Sequence, residues 1–216
     1  MQLPKDEDEM VKPAVEGTLR VLKAASKAGV KRVVITSSVA AIMYGTDKQG
    51  TFNEEDWTDP KSKTTNVYAK SKTLAEQAAW DFMEHDTSGM ELSTVLPAMV
   101  FGPILEEDFG VSVGAILDMM NGKYPIVPNW DMGVVDVRDV ASLELLAMTK
   151  PEAAGKRFVC SAENMFMKDQ NEYLSELFPE SASKIPKRVA PNWLIKFLAL
   201  FLPALKMIAE GLGKER

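Results

Sequence analysis

Two short, largely apolar runs constrain this chain most: "RVVIT" at Arg32–Thr36 and "LSTVLPAMVFGP" at Leu92–Pro103. A strand with one wet face alternates apolar and polar residues, whereas Val33, Val34 and Ile35 follow one another without a break. Such a run is expected of a parallel strand covered on both faces. The second run is read as one strand, stopped by Gly102 and Pro103.

The segments around these strands carry helical spacing. Val11, Val15, Leu19, Leu22 and Ala25 recur every three or four residues, which predicts an amphipathic helix over Met10–Ala28, stopped at Gly29. A polar loop runs from Gly45 to Asn66, and Thr64, Thr65 and Asn66 offer capping side chains to a helix over Val67–Glu84. Further on, "MGVVDVRDVASLELLAM" predicts a strand at Gly133–Val137 and a helix at Val140–Met148, and "KRFVCSA" another strand. Helices alternating with buried strands predict an α/β fold with a doubly wound parallel sheet. The later Pro-rich helices predict a smaller, mainly helical C-terminal lobe.

Composition narrows the chemistry. The net charge is −6 and basic residues are spread along the chain, which argues against a nucleic-acid surface. The single cysteine, Cys160, excludes an intrachain disulfide and any cysteine-based metal cluster. It sits in an apolar run, is read as a buried inert thiol, and fits a reducing cytoplasm. The single histidine, His85, ends a helical stretch and is read as an exposed helix end, so no metal site is expected. Met1–Glu9 is polar and acidic and does not read as a secretory leader. In the most apolar window, Trp193–Gly213, Lys196, Pro203 and Lys206 interrupt the run. No membrane span is expected there; a helix pair broken near Pro203 is, with a membrane-surface anchor as the sharper alternative.

Chemistry is expected at strand ends, where α/β sheets bind ligands. Ser37 and Ser38 fall just past the carboxyl end of the first strand. Tyr68 and Lys72 stand four residues apart in "NVYAKSKTLAEQ", one turn apart on one helical face. A lysine ammonium there could hold the phenol in a more acidic form; the bland alternative is helix surface.

At these residues the chain resembles the extended short-chain dehydrogenase/reductases of the NAD-dependent epimerase/dehydratase superfamily. The branch is that of dihydroflavonol 4-reductase and cinnamoyl-CoA reductase. The matching segments are "VKPAVEGTLRVLKAA", "RVVITSSVAA", "YAKSKTLAEQAAWDF", "LPAMVFGP" and "VVDVRDVASLELLAM", in family order. The resemblance implies an NADP(H)-dependent reductase, with NAD as the other cofactor choice, converting a carbonyl to an alcohol through a Ser-Tyr-Lys triad. Ser38 would hydrogen-bond the substrate carbonyl and Tyr68 would protonate it. Lys72 would bind the nicotinamide ribose and lower the phenol's pKa from about 10 toward neutrality, roughly 3–4 kcal/mol of favoured phenolate. Pro97, Met99 and Val100 would pack on the nicotinamide, and Ser112 would contact the cofactor; a buried strand ending in a turn is the alternative for Pro97–Val100. Met43 falls where flavonoid reductases carry an asparagine against their substrate. It would line the substrate site without that asparagine's hydrogen bonds, which disfavours a dihydroflavonol. Asp136 and Asp139 are read as a strand-to-helix cap.

The resemblance also implies a boundary. Relatives place the Met10–Ala28 helix after several strands and a glycine-rich pyrophosphate turn. None of the 13 glycines here forms such a turn, so an incomplete, Rossmann-like sheet with its first strands missing is expected. Residues 1–104 and 131–160 would form the Rossmann-type portion, and 105–130 and 161–216 the substrate lobe. The expected partner is a small carbonyl or hydroxy compound, and the expected assembly a monomer or homodimer. Two other readings stand beside the reductase. One is an inactive remnant or binding module of the same fold; the other is a 3β-hydroxysteroid dehydrogenase or sugar-nucleotide epimerase/dehydratase.

Overall fold

The computed structural model describes residues 6–107, 110–202 and 205–213. The chain divides into two compact units, one built from Gln2–Ala98 with Arg138–Cys160, the other from Met99–Val137 with Ser161–Arg216.

The first unit opens with helix α1 (Asp8–Lys27). Its end follows from Gly29, whose φ of 70° is one that a Cβ disfavours. The turn lets Val30 N–H reach the Ala25 carbonyl (3.0 Å) and Gly29 N–H reach that of Ser26 (3.1 Å), satisfying the last orphan carbonyls. Strand β1 (Arg32–Thr36) and, beyond a polar loop, helix α2 (Val67–His85) follow. Asn66 caps α2 by accepting the Ala69 N–H at 2.9 Å.

Strand β2 (Glu91–Pro97) lies between β1 and β5 (Arg157–Cys160), all parallel, with Val33 opposite Leu92 and Val95 opposite Phe158. Leu92–Pro97 is buried throughout, including Ser93 and Thr94, whose hydroxyls donate to the Ala153 carbonyl (2.7 Å) and to Glu76 Oε1 (2.8 Å). β1 is only half-buried, because it stands at the margin of the three-stranded sheet. Val33 and Ile35 pack with Leu22 of α1 and Ala79 of α2. Fully burying Leu22 contributes about 1.5–3 kcal/mol. The alternate residues of β1 turn to helix α4 (Val137–Thr149): Arg32 donates to the Ala147 carbonyl (3.0 Å), and Thr36 Oγ1 to Glu144 Oε1 (2.5 Å). Helices therefore cover both sheet faces, the expected doubly wound arrangement.

The run Leu92–Pro103 is not one strand. β2 stops at Pro97 and β3 (Met99–Phe101) belongs to the other unit. Proline has no N–H to continue a ladder. The next amide, Ala98, makes the last bond of the first sheet, to the Cys160 carbonyl at 3.0 Å.

In the second unit β3 pairs in parallel with β4 (Asp131–Asp136), and β4 pairs antiparallel with β6 (Glu163–Phe166). That antiparallel pair departs from an all-parallel expectation. Helices α3 (Gly110–Met120), α5 (Met167–Leu177), α6 (Asn192–Leu198) and α7 (Lys206–Gly211) complete the unit. Ala190, Ile195 and Leu212 form a small core with Ile126, Ile208 and Ala209. The apolar window Trp193–Gly213 thus divides into α6 and α7, while Pro203 lies outside the described residues. Among the described residues, no helix is long and apolar enough to cross a membrane.

Candidate functional site

Ser38 follows the carboxyl end of β1 in extended backbone and opens a single 3₁₀ turn, Val39–Ala41. Its Oγ accepts the Ala40 N–H at 3.1 Å, and its hydroxyl proton has no acceptor among the described residues. Thr58 fixes this turn from the polar loop. Its N–H donates to the Ala41 carbonyl (2.8 Å), its hydroxyl donates to the Ala40 carbonyl (2.8 Å), and the hydroxyl accepts the Tyr44 N–H (2.9 Å). Both Ser38 and Thr58 are buried.

Tyr68 and Lys72 lie in the first two turns of α2, on one face and half-buried. Lys72 Nζ is 3.5 Å from the Thr36 carbonyl oxygen. Lys72 forms no ion pair among the described residues, unlike its neighbour Lys70, which pairs with Glu7. The Tyr68 hydroxyl likewise makes no hydrogen bond among the described residues. The same helical face continues to Glu76, whose Oε2 accepts from Ser37 Oγ at 2.5 Å. Lys72 and Glu76 thus bring the Tyr68 face of α2 to Thr36 and Ser37, the two residues before Ser38.

The remaining predicted site residues are distributed differently. Pro97 is buried at the end of β2, opposite Cys160. Met43 is half-buried and packs against the cluster of Ala41, Ile42 and Leu96 with Phe52 and Val159. Met99 and Val100 lie on β3 opposite Val134 and Val135, and Ser112 lies in the first turn of α3; these three belong to the second unit. Asp136 ends β4 and Asp139 sits in the first turn of α4, where an acidic side chain suits the helix dipole. Cys160 is buried, and burial, with Asp139 and Glu144 nearby, raises its pKa above the usual thiol range. His85 is exposed at the end of α2, its Nδ1 2.8 Å from the Asp81 carbonyl.

Sequence reasoning missed Glu76 and Arg157. Glu76 is buried within α2 and accepts from Thr94 Oγ1 (2.8 Å), Arg157 Nε (2.8 Å) and Trp80 Nε1 (3.4 Å) besides Ser37. Arg157 also stacks on Trp57, 3.7 Å from the ring centroid, and donates to the carbonyls of Glu54 (2.6 Å) and Asp56 (2.8 Å). The one available signal was an arginine opening an otherwise apolar strand, a position that demands a partner.

Helices on both faces of a parallel sheet define an α/β protein of the doubly wound class, a class in which ligands bind past the carboxyl ends of the strands. The chain belongs to the NAD dependent epimerase/dehydratase family, whose pattern it matches over residues 4–161. It is 38% identical over 220 residues to cinnamoyl-CoA reductase 1 of Petunia hybrida, covering 95% of this chain and 65% of the relative. It is 35% identical over 199 residues to the NADPH-dependent methylglyoxal reductase GRE2 of Saccharomyces cerevisiae, covering 83% of this chain and 58% of that protein. The crystal structure of yeast methylglyoxal/isovaleraldehyde reductase Gre2 complexed with NADPH superimposes with a TM-score of 0.75 at 34% identity, covering 85% of this chain and 60% of that one. The chain therefore spans less than two thirds of the length of these relatives.

Proposed function

We propose that this chain carries the proton-delivering part of an NADPH-dependent carbonyl reductase acting on an aldehyde or ketone. The observation that carries the reading is the meeting of one α2 face, Tyr68–Lys72–Glu76, with the end of β1 at Thr36 and Ser37, directly before Ser38. The printed names of the Petunia and yeast relatives, both reductases, favour this reading over epimerisation or dehydration.

The residues present fit the nicotinamide-ribose end of such a cofactor. Among the described residues the Lys72 charge has no carboxylate partner and the Tyr68 hydroxyl no hydrogen bond, as ribose hydroxyls and a substrate oxygen require. When bound, the reduced nicotinamide supplies the hydride. The Ser38 hydroxyl donates a hydrogen bond to the carbonyl oxygen and orients it. The Tyr68 O–H bond breaks as a new O–H forms on that oxygen, and the Lys72 ammonium stabilises the phenolate left behind. The pyrophosphate end is different: none of the 13 glycines forms a glycine-rich turn between strand and helix. The second reading is a scaffold of the same fold that does not turn over.

The test is NADPH oxidation by this chain with isovaleraldehyde, run beside Tyr68→Phe, together with an NADPH fluorescence titration. Saturable binding and turnover, abolished in Tyr68→Phe, is the expected result. Turnover unchanged by Tyr68→Phe would overturn the proton-delivery role, and no NADPH binding at millimolar concentration would leave the scaffold reading in its place.

A further inference from the structure

The carboxylate of Glu76 is buried and accepts from four side chains, and nothing in the proposed chemistry uses it. It is buried, pairs with Arg157, and accepts hydrogen bonds from Ser37, Thr94 and Trp80. Its partners come from three strands and its own helix: Ser37 just beyond β1, Thr94 on β2, Arg157 on β5 and Trp80 on α2. A helix packed by apolar contacts alone can slide or rotate by a fraction of a turn at small cost. A buried carboxylate whose lone pairs are filled from fixed strand positions removes that freedom, because any shift strands a buried donor.

We propose that Glu76 is a positioning residue which, acting through the Ser37 hydroxyl, fixes Ser38 relative to Tyr68 and Lys72. The inference rests on the Ser38–Tyr68–Lys72 reading above. Glu76 is one turn beyond Lys72 and two beyond Tyr68 on the same face of α2. Ser37 is covalently next to Ser38, and its own N–H is held by the Val95 carbonyl at 2.7 Å. The Ser37–Glu76 bond is therefore a direct tie between the element that carries the hydroxyl and the element that carries the phenol and the ammonium. Arg157 extends the tie: while its Nε holds Glu76, its Nη1 holds the carbonyls of Glu54 and Asp56. Those residues lie just before Thr58, which braces the turn after Ser38 from the other side. Chain separations of 39 residues for Ser37–Glu76 and 81 for Arg157–Glu76 make this a device of the folded state only.

The variants that test it are Ser37→Ala and Thr94→Val. Each removes one buried hydrogen bond to the same carboxylate, so each lowers stability. Only Ser37→Ala cuts the tie to Ser38. Hydrogen exchange at the Ala40, Ala41 and Ile42 amides is expected to quicken about tenfold in Ser37→Ala and to stay within about twofold in Thr94→Val. In the NADPH and isovaleraldehyde assay, Ser37→Ala is expected to lose about tenfold in kcat with KM nearly unchanged, and Thr94→Val to keep its kcat. Glu76→Ala cuts the same tie and also strands the Arg157 charge, so exchange at these amides should quicken at least as much as in Ser37→Ala. Glu76→Gln should restore the wild-type pattern, since its carbonyl can still accept from Thr94 and Arg157 and its amide can donate to the Ser37 oxygen. Equal effects of Ser37→Ala and Thr94→Val on exchange would overturn the inference and leave Glu76 a general stabiliser. The exchange measurement stands apart from catalysis, so unchanged turnover in Tyr68→Phe would sink the proposed function without deciding the role of Glu76.

Discussion

Lys72 holds its ammonium 3.5 Å from the carbonyl oxygen of Thr36 and has no carboxylate partner among the described residues. A lysine usually finds a carboxylate or reaches bulk water; this one is half-buried over the end of a strand. Its long single hydrogen bond contributes little to folding, so the charge is available for other work. Lys72→Met is expected to change stability by less than about 1 kcal/mol. The same substitution should lower kcat/KM for carbonyl reduction by about 10²–10⁴-fold, the usual range for a disabled acid-base pair. Thermal melts beside NADPH oxidation rates check both halves. A large stability loss would make Lys72 a structural residue.

Arg157 and Glu76 meet at 2.8 Å with side-chain exposures of only 9% and 1%, and removing either partner strands a buried charge. Arg157→Ala is expected to destabilise the chain by about 3–5 kcal/mol, read as a shift in the urea midpoint. Arg157→Lys should recover only part of the loss. A lysine has no planar fork to reach Glu76, the Glu54 and Asp56 carbonyls and the Trp57 face together. Full recovery with lysine would mean that charge alone matters.

Gly45 begins the polar loop with φ 70°, and a Cβ there would stand 2.4 Å from Thr65 Oγ1 and 2.7 Å from the Asp59 carbonyl oxygen. Gly29 has the same φ, yet nothing lies within 4 Å of its added Cβ. Gly45→Ala should therefore cost at least about 2 kcal/mol, and Gly29→Ala about 1 kcal/mol. Melting temperatures of the two variants, expected to differ by a few degrees, separate the clash from the backbone strain.

The Cys160 thiol has its pKa raised by burial first, and by Asp139 and Glu144 next. A folded thiol with a raised pKa keeps its proton where the unfolded thiol, near pH 8.5, has lost it. Its contribution to stability is therefore complete below about pH 8.5 and declines as pH rises beyond that. Iodoacetamide should label the native chain at pH 8 far more slowly than the urea-unfolded chain. The urea midpoint should fall between pH 8 and pH 10 by more in the wild type than in Cys160→Ala. Equal slopes would remove Cys160 as a cause of the alkaline loss.

Much of the fold was legible because its determinants are local. The spacing of Val11, Val15, Leu19 and Leu22 set α1, and Gly29 ended it through a left-handed turn that few other residues adopt cheaply. Asn66 announced the start of α2, and the unbroken Val33–Ile35 run announced a strand between helix layers. The run from Leu92 to Pro103 misled, because apolar content alone does not say which neighbour each residue pairs with. Pro97 held the clue, since it lacks the donor that a continuing ladder needs.

By itself the sequence determined the periodicities, the caps, the Tyr68–Lys72 spacing and the position of Ser38 after a strand. Each is set by residues within a few positions of one another. Only the tertiary structure decided that Glu76 is buried and not part of a solvated helix face, that Arg157 joins it from 81 residues away, and that Lys72 turns to the Thr36 carbonyl. The physical reason is that a charge can be buried only beside partners already held in place, and those partners are assembled by the packing of the sheet.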